Sequence, residues 1–137
     1  MSLAILFLVI IKNSYGQDDL PKESKIQKNS IKSITISKSE FETGKEVKEV
    51  SVIAKYNDKG QLVEYSEWDT GNKFVKHEKY EYNQDGEKVK EIQYNSSGAV
   101  SKINEYKYKG KLLLERVSYL PNGKIKSRKV YTYDFYE

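Results

Sequence analysis

The stretch YEYNQDG, residues 80–86, decides how the rest of the chain is read. Asn83-x-Asp85-Gly86 resembles the opening of a cation-binding loop and equally suits the tip of a β-hairpin. A calcium loop of the EF-hand kind needs side-chain oxygens at alternating positions, a central glycine and a glutamate six residues beyond it. At that distance from Gly86 stands Ile92, and the related turns put Lys59 and Ser97 where Asp85 stands. A metal site does not survive those changes. A hairpin turn does, because Asn and Gly tolerate the positive φ that tight hairpins require. The sequence therefore predicts turns, with no metal site and no cofactor.

That stretch belongs to a repeat. Tyr56, Tyr82, Tyr108 and Tyr133 are spaced by 26, 26 and 25 residues. A second aromatic, Trp68, Tyr94 or Tyr119, follows each of the first three tyrosines, and the next leading tyrosine comes 14 residues later every time. A glycine sits just beyond each second aromatic, at Gly71, Gly98 and Gly123. Phe41-x-x-Gly44 aligns with Trp68-x-x-Gly71 as an upstream half-unit. Full units run about 56–81, 82–107 and 108–132, with incomplete units at both ends of a β-hairpin repeat domain over 31–137.

Between the turns lie short runs rich in Val, Ile, Tyr and Thr, which read as strands. They are expected at about 32–41, 46–56, 61–68, 73–82, 87–94, 99–108, 111–119 and 124–135. No stretch sustains the i, i+3, i+4 apolar spacing of a helix. Short consecutive connections make the strands antiparallel neighbours. The predicted fold is all-β: an antiparallel meander of about eight strands forming an open, twisted repeat sheet.

Residues 3–11, LAILFLVII, are an apolar run too short to span a bilayer, which takes about 20 helical residues. Ser14-Tyr15-Gly16 follows, so residues 1–16 read as a signal peptide cut between Gly16 and Gln17. The expected location is secreted or periplasmic, with no membrane span after leader removal. With no cysteine, a disulfide framework and a lipid-anchored cysteine are excluded. Residues 17–30, QDDLPKESKIQKNS, read as a flexible polar segment. Removing the leader leaves about 120 residues, enough for one domain. The net charge of +4 comes with lysines interleaved among glutamates, as in Glu87-Lys88-Val89-Lys90-Glu91. That pattern reads as a solvated face and argues against nucleic acid as a partner.

Catalytic constellations are missing from the sequence. The single histidine, His77, lies inside a strand between lysine and glutamate and reads as solvent-facing. No nucleophile-elbow motif, P-loop or dinucleotide fingerprint occurs, and nothing singles out a pair of carboxylates. The chain is expected not to be an enzyme.

The tyrosines carry the most information. Tyr80-x-Tyr82, Tyr106-x-Tyr108 and Tyr131-x-Tyr133 place both rings of each pair on one strand face. On every second strand, these pairs stand about 10 Å apart and form rows across the sheet. Their structural reading is a substitute core; their functional reading is a ligand platform formed by these six tyrosines.

Tyr56-Asn57-x-x-Gly60-Gln61-Leu62, Tyr82-Asn83-x-x-Gly86, Tyr94-Asn95-x-x-Gly98 and Tyr131-x-Tyr133-Asp134 resemble the YD repeats of RHS-type proteins. Pro121-Asn122-Gly123-Lys124-Ile125 is similar to variant MORN repeats. Asn mostly replaces the Asp of the YD repeat here. The resemblance implies an open, twisted sheet and a bacterial cell-surface or secreted setting. Two functions are expected on these grounds. The first is a structural or protein-interaction module, pairing with a protein partner or with itself through a sheet edge or face. The second is a carbohydrate-binding module that takes a glycan on the tyrosine face.

Overall fold

Four turns share one hydrogen-bonding scheme, and that scheme sets the architecture. In the first, the Asn57 N–H donates to the Gln61 carbonyl and the Gly60 N–H to the Asn57 carbonyl, both at 3.0 Å. The same pair of bonds recurs at Asn83/Glu87 with Gly86, Asn95/Ala99 with Gly98, and Leu120/Lys124 with Gly123. The Asn side-chain oxygen accepts a further backbone N–H: that of Gln61 on Asn57, of Glu87 on Asn83, of Ala99 on Asn95. Asn83 Oδ1 is thus engaged within its own turn, and Gly86 holds φ at +84°. The turn reading of residues 83–86 is correct.

The computed structural model describes residues 19–137. A short helix, α1 (Glu23–Lys28), precedes β1 (Ser33–Glu42), β2 (Lys45–Tyr56), β3 (Leu62–Asp69), β4 (Lys73–Tyr82), β5 (Lys88–Tyr94), β6 (Val100–Lys109), β7 (Leu112–Tyr119) and β8 (Ile125–Val130). The strands form one eight-stranded antiparallel sheet in chain order, a meander that does not close into a barrel. Among the described residues β1 and β8 are its edges. The proposed cut between Gly16 and Gln17 lies outside the described residues.

Three of the four leading tyrosines coincide with a register shift. Tyr56 pairs with Leu62, Tyr82 with Lys88 and Tyr108 with Leu113, while the residue before each tyrosine skips one partner. Val63, Val89 and Leu114 are left as the extra residues of β-bulges, which bend a strand and increase its twist.

The apolar core is small and lies at the N-terminal end. Val52, Ala54, Tyr65 and Tyr80 are buried together, with Leu20, Ile36, Tyr56, Leu62 and Tyr82 packed around them. The helix closes against the first turn, where a Cβ at Gly60 would lie 2.7 Å from the Glu23 carbonyl oxygen.

Four sequence expectations differ from the structure. The segment read as flexible and the chain read as helix-free contain α1, whose Ile26 is fully buried. A helix this short has little intrinsic stability, so it depends on that tertiary contact. The eighth strand, expected to reach 135, ends at Val130, so Tyr131 and Tyr133 lie beyond it. His77 is only 27% exposed at its side chain, with Nε2 at 2.9 Å from Glu64 Oε1 and its ring stacked on Tyr94.

Candidate functional site

Alternation along the strands sorts the predicted site residues onto one face. Tyr65 pairs with Glu78, Tyr80 with Glu91, Glu91 with Asn104 and Asn104 with Ser118, so these six share a face across β3–β7. Tyr82, Tyr106 and Tyr108 follow on the same face by the two-residue period.

The leading tyrosines form a ladder on this face. The Tyr82 hydroxyl donates to the Leu62 carbonyl (2.6 Å), Tyr108 to Lys88 (2.8 Å) and Tyr133 to Leu113 (2.6 Å). Each rung spans 20 residues and ends on the carbonyl beside a bulge. Tyr56, the first of the series, has a buried hydroxyl without a hydrogen-bond partner among the described residues. Burial, with a smaller contribution from the Glu23 carboxylate, pushes the Tyr82 hydroxyl up to about 12.

Beside the ladder runs a polar chain that the sequence reading missed. Tyr65 donates to Glu67, and Tyr80 donates to Glu78. Gln93 Nε2 reaches Glu78 at 3.1 Å and Glu91 at 3.0 Å. Asn104 Nδ2 donates to Glu91 at 3.1 Å, and Ser118 Oγ donates to Asn104 Oδ1 at 2.7 Å. Lys76 pairs with Glu78 and Lys88 with Glu91. Burial by itself raises the Glu91 pKa, but the bonds from Lys88, Gln93 and Asn104 hold it below the ordinary carboxylate value. Burial followed by the Glu67 hydrogen bond raises Tyr65 well above an ordinary phenol. Lysines cover the rings as well: Lys88 Nζ stands 5.2 Å from the Tyr80 ring centre and 5.4 Å from that of Tyr106, and Arg116 lies 5.7 Å from Tyr106.

The six tyrosines singled out by sequence therefore have unlike surroundings. Tyr80 is buried, Tyr82, Tyr106, Tyr108 and Tyr131 are half-buried, and Tyr133 is 37% exposed. The network residues Glu67, Glu78, Glu91, Asn104 and Ser118 carried one legible signal, which was the two-residue step from a core tyrosine in Tyr65-x-Glu67 and Glu78-x-Tyr80.

The opposite face carries a shallow concavity of about 350 Å³. Its floor is a row of successive cross-strand partners, Glu81, Lys90, Glu105, Val117 and Arg128. The charges alternate along this row, and Arg128 Nε also bonds Glu115 Oε1 at 3.0 Å. Among the described residues no cluster of three or more His, Asp or Glu is placed to hold a metal ion. No helix among them is long and apolar enough to cross a membrane.

Compared with known proteins, the chain matches no family model, no curated protein and no solved structure.

Proposed function

We propose that the chain is an exported repeat module that works by binding protein, without catalysis and without a cofactor, at the bacterial envelope or outside the cell. One observation carries the reading: an open meander in which, among the described residues, β1 and β8 each have a neighbouring strand on one side only, and such an edge strand presents a row of backbone donors and acceptors. Such rows accept an added strand from another chain. The apolar leader supports export, and the resemblance to YD repeats supports a surface or secreted setting. On the tyrosine face, the hydroxyls of Tyr82, Tyr108 and Tyr133 already donate to carbonyls of the same chain, which favours protein over glycan as the partner.

The reading is tested with a photo-crosslinking residue at Thr35 in β1, at Ser127 in β8 or at Ser101 in the interior strand β6, in cells producing the full chain. Protein adducts are expected from the two edge positions and not from Ser101, on chains whose first residue is Gln17. Adducts from no edge position would overturn the interaction reading. Saturable binding of one glycan class on an array would replace it with the carbohydrate-binding alternative. A chain still starting at Met1 in the exported material would overturn the cleavage.

A further inference from the structure

We infer that the partner of the open edge β8 is strand β1 of a second copy, so that the chain adds to itself head to tail. The inference rests on the interaction-module reading and names the partner within it.

The phase of the repeat specifies the pairing. Strands β2, β4 and β6 each reach a leading tyrosine at or near their ends, and each pairs with the strand that follows. At these three junctions the residue four before the leading tyrosine faces the residue just before the second aromatic: Val52 faces Glu67, Glu78 faces Gln93, and Asn104 faces Ser118. The residue two before the tyrosine faces the residue three before the aromatic: Ala54 faces Tyr65, Tyr80 faces Glu91, and Tyr106 faces Arg116. Strand β8 leads to Tyr133 and is of the same kind, but among the described residues it has no following strand. Strand β1, which precedes the hairpin of Phe41-x-x-Gly44, is of the following kind and has no preceding strand there.

Applying the register of the internal junctions to β8 and the β1 of a second copy sets Lys129 opposite Glu40 and Tyr131 opposite Lys38. The first sets opposite charges face to face, with Lys129 joining Glu40, which already pairs with Lys38 of its own strand at 2.7 Å. The second repeats Tyr106 opposite Arg116, where the cation lies over the ring. Both pairs fall on the tyrosine face, because Ile34 and Ile36 share that face with Ala54 and Val52, and Lys38 and Glu40 continue the same alternation.

Two features of β8 fit an absent neighbour. Lys129 stands directly opposite Arg116 of β7, a like-charge pair that an acid on the other side of Lys129 would offset. Strands β2 and β4 continue through Tyr56 and Tyr82, whereas β8 stops at Val130, three residues before Tyr133. The interface is heterologous, and nothing in a translation along the sheet closes it, so growth is open-ended.

Sedimentation velocity on the purified chain across a concentration series tests this. The mean mass is expected to rise with concentration past that of a dimer, without a plateau. Lys129→Glu alone and Glu40→Lys alone each put like charges across the junction, and should raise the apparent dissociation constant about fivefold or more. Mixing the two variants restores opposite charges at every junction and should restore association, as should the double variant. Because the chain has no cysteine, Lys129→Cys mixed with Glu40→Cys supplies a second readout that does not depend on charge. Directly opposite positions have Cβ atoms about 4.5–5.5 Å apart, so oxidation should give a disulfide joining the two variants. Lysines on an edge strand also serve to keep it unpaired. A monomer at every concentration would assign β8 that role and overturn self-addition, as would a mass plateau at the dimer or a mixture no better than its components. Edge crosslinks to a different protein from a monomeric chain would overturn self-addition too, while leaving the interaction reading standing.

Discussion

Strands β2–β4 and strands β6–β8 share the leading-tyrosine bulge and the tyrosine rung, although the hydrogen-bonded four-residue turn follows β2 in one group and β7 in the other, and they bury different chemistry. In the first group the shared face holds Val52, Ala54, Tyr65 and Tyr80, with Leu20 packed against them. Further along, the positions nearest the sheet centre hold Asn104 and Ser118, and β8 is exposed along its whole length. The repeat sets backbone register, whereas burial depends on what lies over the face. The segment around α1 supplies that cover at one end only. Fully burying a large apolar side chain contributes about 1.5–3 kcal/mol, against about 0.5–1.5 kcal/mol net for a hydrogen bond. Most of the stability is therefore expected from the N-terminal strands, and opening should begin at β8.

The largest effect that would break this comparison comes from truncating the core. Tyr65→Ala removes a ring with 0% exposure and should cost about 3–5 kcal/mol, read from urea midpoints. Tyr133→Ala, at the exposed end of the ladder, should cost about 1 kcal/mol, the net value of its one hydrogen bond. Equal losses from the two variants would mean that both ends of the sheet are equally cohesive. Next comes the polar chain: Asn104→Ala leaves Glu91 and Ser118 each short of a partner and should cost about 1–3 kcal/mol. A neutral result would show that water replaces Asn104 and that the C-terminal strands are wetter than their geometry implies.

Alkaline pH sharpens the comparison without mutation. The Tyr82 hydroxyl titrates at about 12 in the folded protein and about 10 when unfolded. The protonated phenol therefore contributes stability that is complete below pH 10 and is lost as pH rises through about 12. Tyrosinate absorbance should lag behind that of free tyrosine until unfolding, and Tyr82→Phe should reduce the lag. Glu91 works in the opposite sense, since its lowered pKa contributes stability above the unfolded value that is lost as acid protonates the folded carboxylate. The smallest expected effect is that of a chelator. Because Asn83 and its counterparts bond backbone N–H groups, EDTA should leave both ends of the sheet and the melting temperature unchanged. A calcium-dependent rise of several degrees would contradict this.

The strand boundaries were legible because Asn-x-x-Gly turns punctuate runs of period two, and the order followed from short connections. What lay hidden in the sequence was hidden for identifiable physical reasons. Glu87-Lys88-Val89-Lys90-Glu91 reads as a solvated alternation, but the bulge at Val89 changes the phase of the strand. Lys88 and Glu91 consequently meet on the covered face, with Nζ 2.9 Å from Oε2. Helix α1 was illegible because a single buried side chain, Ile26, ties it down. The six tyrosines were read as one series from their spacing, but alternation alone could not distinguish the buried Tyr80 from the exposed Tyr133. His77 was read as solvated because its partners Glu64 and Tyr94 come from neighbouring strands.

The tyrosine rungs also have a mechanical consequence. In a meander drawn apart at its two ends, tension runs across the strands, so backbone hydrogen bonds are loaded a few at a time and the sheet peels. Each rung interrupts that peeling once per repeat, by fastening the end of β4 or β6, or the segment just after β8, to the carbonyl beside a bulge on the strand before it. Chain should then be released in steps set by the 26-residue spacing, roughly 90 Å of contour length each at about 3.3–3.6 Å per residue. The exposed β8 should yield first and the strands beneath Leu20 last.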